Sequence, residues 1–420
     1  MKTTIYLLLL IVLLGSCNLS SGEKKPDNHP IQDTQRVTKQ LDPKVFDYFS
    51  RTLSNFFEAH LIHRGFNGGI LVAKNGNIVY EKYAGYRDLR KKDSLTATTP
   101  MHIASTGKTF TAMAILQMVQ EKKLSLNDSL SVFFPGFPYP GRTVKMLLNH
   151  RSGLPNYVYF IPNSDWDKNT YVTNKDVLNL LYTIKPNQTF RPNTHFSYSN
   201  TNFVLLALII EKISGMPFPQ YMKQKIFDPL QMKDTYIFTL ADSLKATPSF
   251  NYDGRFFPND FLEGTYGDKN LYTTPRDLLK WDQALYTDKI VGKPLLDSAF
   301  TPYSQERSSM HNYGLGWRLL ALPNGKTIIY HFGRWHGFNA AFARLTADSA
   351  TIIILGNKFN RGIYNTAHDA YDIFGDYQQR LNGEEEETDS TGSSFKSFQP
   401  RLKTKKTAVH RKKKSIHRRR

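Results

Sequence analysis

What most constrains this chain is where its strand-forming runs fall. Two lie near the start, Gly69–Ala73 and Ile78–Lys82, separated by Asn75-Gly76, a strong signal for a tight hairpin turn. Four lie near the end: Leu315–Leu320, Thr327–His331, Asn339–Leu345 and Thr351–Leu355, with a second turn signal at Asn324-Gly325. Between them the apolar residues recur with helical spacing, as in Asn202–Ile213 and Leu278–Leu285. The second of these has Thr274 as its cap, Pro275 at the first helical position and Asp277 in the first turn. The simplest assembly is a mostly antiparallel sheet built from both ends of the body, with an all-helical lobe inserted between them. An opening helix begins at Asp42-Pro43 with Phe46, Phe49, Leu53 and Phe56 on one face and is closed by Gly65; a closing helix covers Ile363 to Phe374. The expected class is α/β of the α+β kind. One domain spans 42–378, with an α/β lobe from about 42–104 and 300–378 and a helical lobe from about 105–299.

The ends of the chain differ from this body. Lys2 precedes an apolar run, Ile5 to Leu14, which is too short for a stable membrane span and reads as the core of a secretory signal. The single cysteine, Cys17, excludes an internal disulfide and any multi-cysteine metal site. Leu14-Gly-Ser-Cys17 resembles a bacterial lipobox, which implies cleavage before Cys17 and a lipid on its thiol; the plainer alternative is simple secretion with cleavage near Ser16. Residues 1–17 are thus expected to be a signal peptide, and 18–41, polar and without periodicity, a flexible tether. Net charge is +19, yet the last twenty residues hold eleven Lys or Arg and no acid, just after the acidic run Glu384–Glu387. Such like-charge blocks repel themselves, so 379–420 is expected to be a disordered tail. In an exported protein the basic part suits anionic lipid or wall polymer better than nucleic acid.

The segment His102-Ile-Ala-Ser-Thr-Gly-Lys-Thr109 admits two chemistries. A phosphate-binding loop needs a glycine five residues before Gly107, where His102 stands, and an apolar strand ahead of it, where Pro100 stands. Export adds a third objection, since ATP is scarce outside the cytoplasm. The other reading fits better. Ser105 precedes the helical pattern Phe110, Met113, Ala114, Met118, so it sits at a helix N-terminus that favours developing negative charge. Lys108 lies one turn on, on the same face. A lysine partly withdrawn from water has its ammonium form disfavoured and can accept the serine proton. Alone, this pair reads equally as a capping serine beside a solvated lysine.

Two more segments bear on it. Tyr198 and Asn200 lie on a polar loop before the helix starting near Asn202: a tyrosine beside a cation relays protons, and an asparagine both donates and accepts. His331 and Gly333 end a strand, where glycine lets a substrate approach the backbone; the N–H of Arg334 can pair with that of Ser105 as an oxyanion hole. Each has a structural alternative, a buried tyrosine with a capping asparagine and a satisfied core histidine.

Ser105-x-x-Lys108, Tyr198-x-Asn200 and His331-x-Gly333, in that order, resemble the penicillin-recognising serine hydrolases, in particular the branch of class C β-lactamases, D-alanyl-D-alanine carboxypeptidases and esterases. Gly68–Gly76, Lys123–Asp128, Leu147–Pro155 and Tyr313–Trp317 are also similar to that branch, so the likeness runs from about Asp42 to Phe374. The resemblance implies a β-lactamase-like fold with its site between the two lobes. It implies Ser105 as acylated nucleophile, Lys108 and Tyr198 sharing the proton work, and Asn200 holding them in register. It further implies His331 in place of the lysine usual in β-lactamases, Ser105 and Arg334 as oxyanion donors beside Gly333, and no metal or organic cofactor. The substrate would be a small molecule or peptide with an amide or ester. Two departures stand out. Histidine at 331 weakens the case for a dedicated β-lactamase. Phe332 replaces a small or hydroxyl residue and is expected to crowd the cleft; with the charged tail it motivates an alternative: a membrane-anchored binding protein of the same fold that grips cell-wall material without turnover. Arg334 is then a candidate anion contact and Trp335 a candidate apolar wall. His150 is expected in a structural turn, Asp228, Asp234 and Asp268 lack paired acid–base context, and no Gly-x-Ser-x-Gly elbow occurs.

Overall fold

The computed structural model describes residues 40–306 and 309–378. The expected signal sequence with Cys17, the expected tether up to residue 39 and the tail from 379 lie outside the described residues. The elements that frame the site are helices α1 (Pro43–His60), α2 (Lys108–Gln120), α3 (Asn200–Ser214), α4 (Pro275–Ala284) and α5 (Gly362–Asp369). The strands are β1 (Gly68–Lys74), β2 (Asn77–Ala84), β3 (Met101–His102), β4 (Tyr236–Ile237), β5 (Leu271–Thr273), β6 (His311–Tyr313), β7 (Arg318–Ala321), β8 (Thr327–Trp335), β9 (Phe338–Leu345) and β10 (Ala350–Gly356).

The main sheet is antiparallel with order β6-β7-β8-β9-β10-β1-β2. The two ends of the chain therefore meet inside one sheet, where Leu71 of β1 faces Ile353 of β10. The turn at Asn75-Gly76 carries φ of 50° and 79°, the left-handed values those residues tolerate. β10 is buried along its whole length, because both faces of the sheet are covered. Ile352 and Ile354 pack with Leu53 and Phe57 of α1 and Ile363 of α5; Ile353 and Leu355 join the core formed with α2, α3 and α4. Each such side chain contributes about 1.5–3 kcal/mol by leaving water. The Arg344–Asp282 pair (2.6 Å) and Thr351 (2.7 Å to the same carboxylate) fasten α4 to β9 and β10.

Three expectations are corrected in detail. The insertion is mainly helical but not all-helical: β3, β5 and β4 form a small sheet, and Ser249–Phe250 pairs with Phe256–Phe257. These runs are two or three residues long, too short to display a period. Second, β8 continues past His331 to Trp335, since Gly333 and Arg334 keep their partners Ala340 and Asn339. Third, the run expected at Leu315–Leu320 is broken. Gly316 takes φ of 82°, so β6 ends before it and β7 starts after it.

Candidate active site

Ser105 lies in a 3₁₀ turn, Ala104–Gly107, that runs directly into α2 at Lys108. The three-residue spacing brings the lysine Nζ 3.1 Å from the Ser105 Oγ. The ammonium also donates to Asn200 Oδ1 (2.8 Å) and to the backbone carbonyl of Asp268 (2.7 Å). Lys108 is fully buried, whereas Ser105 is partly exposed. α2 owes its fixed position to packing: Phe110 stacks on Trp281 of α4 at 3.9 Å.

Asn200 is the first residue of α3, which places its side chain toward Lys108, and its own N–H bonds Asn156 Oδ1 (3.2 Å). Tyr198 sits two residues earlier with its ring centroid 5.0 Å from the Lys108 Nζ. Its other neighbours are the His150 ring at 4.2 Å and the Arg318 guanidinium at 5.5 Å. His150 occupies the turn expected of it, with φ of 56°. Its Nδ1 accepts from the Ser199 amide (3.3 Å) and lies 3.0 Å from Asn202 Nδ2, and its carbonyl accepts from Ser197 (2.8 Å). The loop bearing Tyr198 is thereby wrapped around this one buried ring.

His331 is brought beside the same group, with both nitrogens occupied. Nδ1 donates to the Phe332 carbonyl (2.8 Å), which leaves Nε2 to accept from the Tyr313 hydroxyl (3.1 Å). Burial, then the charges of Arg318 and Lys108, hold it well below the ordinary histidine range. It is a neutral residue whose ring stands 6.5 Å from that of Tyr198. Gly333 also answers a packing need. A β-carbon there would lie 2.1 Å from the Ile103 carbonyl and 3.0 Å from the Ser105 N. The strand packs directly on the loop that bears Ser105. That contact sets the N–H of Ser105 against β8, next to Arg334.

Phe332 is corrected. Alternation along β8 turns it to the opposite face, where it stacks on Tyr364 (5.3 Å) and packs with the α1–α5 core. It does not crowd the cleft, which removes one of the two motives for a binding-only protein; the other, the charged tail, lies outside the described residues. Trp335 is half-buried. Its indole N–H bonds Glu263 (2.8 Å), and its ring faces the Lys269 ammonium at 4.8 Å.

Sequence reasoning missed the network behind Lys108. Asp268 was set aside for want of a paired carboxylate, yet its backbone carbonyl is a lysine acceptor, and no residue pattern marks a backbone carbonyl. Its carboxylate accepts from Tyr157 (2.8 Å) and lies 3.9 Å from Lys269 Nζ. Lys269 also donates to Tyr157 (2.7 Å) and to Thr265. Burial lowers the Lys269 pKa, opposed by Asp268 and Glu263. Burial works to raise the Glu263 carboxyl, but the hydrogen bond from His336 (2.6 Å) and nearby charges bring it below its ordinary value. Asp260, Glu263 and His336 place ligand-type atoms within 4.8 Å of one another, though Glu263 is already committed to His336 and Trp335.

A serine bonded to a buried lysine, set where an antiparallel sheet meets a helical insertion, defines the class of serine hydrolases of the β-lactamase and penicillin-binding-protein type. The model of the β-lactamase family matches residues 53–373, and the chain belongs to that family. Over 323 residues it is 33% identical to penicillin-binding protein 4* of Bacillus subtilis (strain 168), covering 73% of this chain and 71% of that one. It is 30% identical over 353 residues to the putative penicillin-binding protein PbpX of the same organism, covering 80% and 84%. The octameric penicillin-binding protein homologue from Pyrococcus abyssi superposes with a TM-score of 0.67 at 25% identity, covering 81% and 79%. D-amino acid amidase from Ochrobactrum anthropi SV3, complexed with D-phenylalanine, shares the fold with a TM-score of 0.64 at 23% identity, covering 77% and 99%.

Proposed function

We propose that this serine hydrolase is exported and cleaves an amide or ester, in a D-amino-acid peptide, a β-lactam or a small ester, through a covalent acyl group on Ser105. The observation that carries the reading is the set of oxygens around Lys108. A neutral amine has two N–H bonds and one lone pair. With Asn200 Oδ1 and the Asp268 carbonyl taking the N–H bonds, the lone pair faces the Ser105 hydroxyl.

In that state Lys108 removes the hydroxyl proton as Oγ attacks the substrate carbonyl. The oxyanion forms between the backbone N–H groups of Ser105 and Arg334. Tyr198, beside the resulting ammonium, passes a proton to the leaving amine or alcohol. Water then attacks the acyl-serine, with the same pair taking its proton and returning it to Oγ. His331, neutral and already bonded, supports the position of Tyr198 through Tyr313 and the ring packing, while Arg318 supplies positive charge near that phenol. Cys17 would carry a lipid that holds the domain at a bacterial membrane, with the basic tail on anionic lipid or wall polymer.

A relative named for penicillin binding makes a fluorescent penicillin the natural probe, with a fluorescent phosphonate beside it. The mature protein is expected to be labelled, and Ser105→Ala to be silent; labelling that persists in Ser105→Ala refutes the assigned nucleophile. Turnover of p-nitrophenyl esters, nitrocefin and D-Ala-D-Ala peptides then sorts the substrate classes. Metabolic labelling with a fatty acid, lost in Cys17→Ala, tests the anchor.

A further inference from the structure

Ala104, the residue before the nucleophile, has φ of 49°. A residue with a β-carbon in this left-handed region is strained, and such strain persists only where the surroundings hold it. What holds it here is His102. The Ala104 N–H donates to His102 Nδ1 at 3.1 Å, so the ring serves as the side-chain acceptor for the amide two residues on, as an asparagine does in an Asx-turn. The strand pairing of β3 with β5 fixes the ring's entry, and Tyr272 and Phe338 box it at 5.1 and 5.3 Å.

The opposite nitrogen reaches the other half of the site. Nε2 lies 3.0 Å from Asn270 Oδ1, and the Asn270 backbone N–H is directed at the same nitrogen from 3.0 Å. A neutral ring has one acceptor nitrogen. With the proton on Nε2 it accepts from Ala104 and donates to Asn270 Oδ1, two bonds. The other tautomer accepts only from the Asn270 N–H and sets an N–H against that of Ala104. The first is therefore favoured, although it leaves the Asn270 N–H facing the Nε2 proton. Asn270 Nδ2 is anchored to the carbonyls of Glu263 and Thr265, both at 2.7 Å, which turns its Oδ1 toward the ring. Two residues before Asn270 is the Asp268 carbonyl that receives Lys108. One imidazole thus ties the peptide that aims Ser105 to the segment that aims Lys108. Burial pushes its pKa down to about 4, the Lys269 and His336 charges adding to this and Glu263 and the Asn270 hydrogen bond opposing it, so the ring is neutral near pH 7.

We propose that His102 is a positioning residue: its Nδ1 holds Ala104 in the left-handed conformation and its Nε2 clamps the 268–270 segment, so that Ser105 Oγ and Lys108 Nζ meet. The inference rests on Ser105 being the nucleophile, as proposed above.

Three variants separate hydrogen bonding from packing. His102→Phe keeps the ring without acceptors. His102→Asn keeps an acceptor where Nδ1 stood, and His102→Gln keeps a polar group where Nε2 stood. The pseudo-first-order acylation rate with the phosphonate probe is measured for each, alongside kcat and KM on an ester and the thermal midpoint. His102→Phe is expected to acylate at least tenfold more slowly with KM changed less than threefold, and His102→Asn to recover most of that rate despite the cavity it leaves. A packing role predicts the reverse order. Phe at the wild-type rate, or Asn as slow as Phe, overturns the proposal. Should Phe not fold, Asn against Gln decides: Asn faster supports it, and Gln equal or faster overturns it. Labelling of Ser105→Ala would instead sink the nucleophile assignment, so the two failures are distinguishable.

Discussion

Two buried lysines share Asp268. Lys108 donates to its backbone carbonyl at 2.7 Å, and Lys269 lies 3.9 Å from its carboxylate. Lys108 is bonded to a hydroxyl, an amide oxygen and a peptide oxygen, each neutral, with the hydroxyl reaching solvent and the Tyr198 ring alongside. Around Lys269 stand a carboxylate, a phenol, a hydroxyl and an indole face. A lysine among neutral oxygens keeps its contacts when it trades a proton with one of them. A lysine facing a buried carboxylate is held as a charge, because losing its proton would strand the partner. On the mechanism proposed above, the difference between chemistry and architecture lies in the partner oxygens.

The largest expected effect follows from that contrast. Lys108→Met removes the proton acceptor, and acylation of Ser105 should slow by about 10²–10⁴-fold, with the urea midpoint moving far less than the rate. Lys269→Met, measured beside it, should lose stability and keep most of its rate per folded molecule. Equal rate losses in the two would break the division of labour.

Next in size is Asp268→Asn. The backbone carbonyl, and so the contact with Lys108, is retained, while Lys269 loses its carboxylate in a buried site. Breaking such a pair from one side costs about 3–5 kcal/mol, read from urea unfolding. Acylation by the folded fraction should stay within about threefold, on the scale of a residue that supplies no proton. A variant that folds normally but fails to acylate would show the carboxylate belongs to the Lys108 side.

Both regions are lined by buried neutral histidines, His150 and His331 near Lys108 and His102 near Lys269, each held below its ordinary value first by burial. The unfolded chain binds protons at these residues below about pH 6.5, and the folded one resists until far lower, near 4 for His102. Their contribution is therefore complete above 6.5 and is lost as pH falls through that window. For His102 the loss should be about 2 kcal/mol between pH 7 and 5, with His150 and His331 acting in the same direction. Denaturant midpoints over that range check it, and a flat profile would mean these rings take up protons in the fold as readily as in the unfolded chain.

How much of this was legible in the sequence follows the same line. Ser105, Lys108, Tyr198 and Asn200 were legible through the resemblance of their ordered motifs to the penicillin-recognising serine hydrolases, since each pair alone fits a structural role as well, and the structure brings all four together. The strands at both ends of the chain were legible because Ile352 to Leu355 and Ile70 to Val72 are apolar on both faces. The Asp268 carbonyl was not, since any residue carries one. Nor was the clamp at His102, whose partner Asn270 is distant in sequence and meets it through pairs only two or three residues long. The side chain at 332 was misjudged because its neighbours in the motif drew it into the cleft, whereas strand alternation sends it away.

That alternation supplies the smallest and most specific test. The contrast between the lysines holds only if nothing from the far face of the sheet reaches Lys108. Phe332 stacks on Tyr364, whose hydroxyl donates to the Gly333 carbonyl at 2.8 Å, so this contact from the far face reaches β8 through backbone. Phe332→Leu keeps most of the volume and should cost about 1 kcal/mol of stability. The acylation rate should stay within about twofold, because a side chain on the outward pleat has no route to Ser105. A tenfold loss of rate at unchanged stability would mean that β8 presents residue 332 to the cleft, and that its register, and with it the placing of His331 and Gly333, is one residue out.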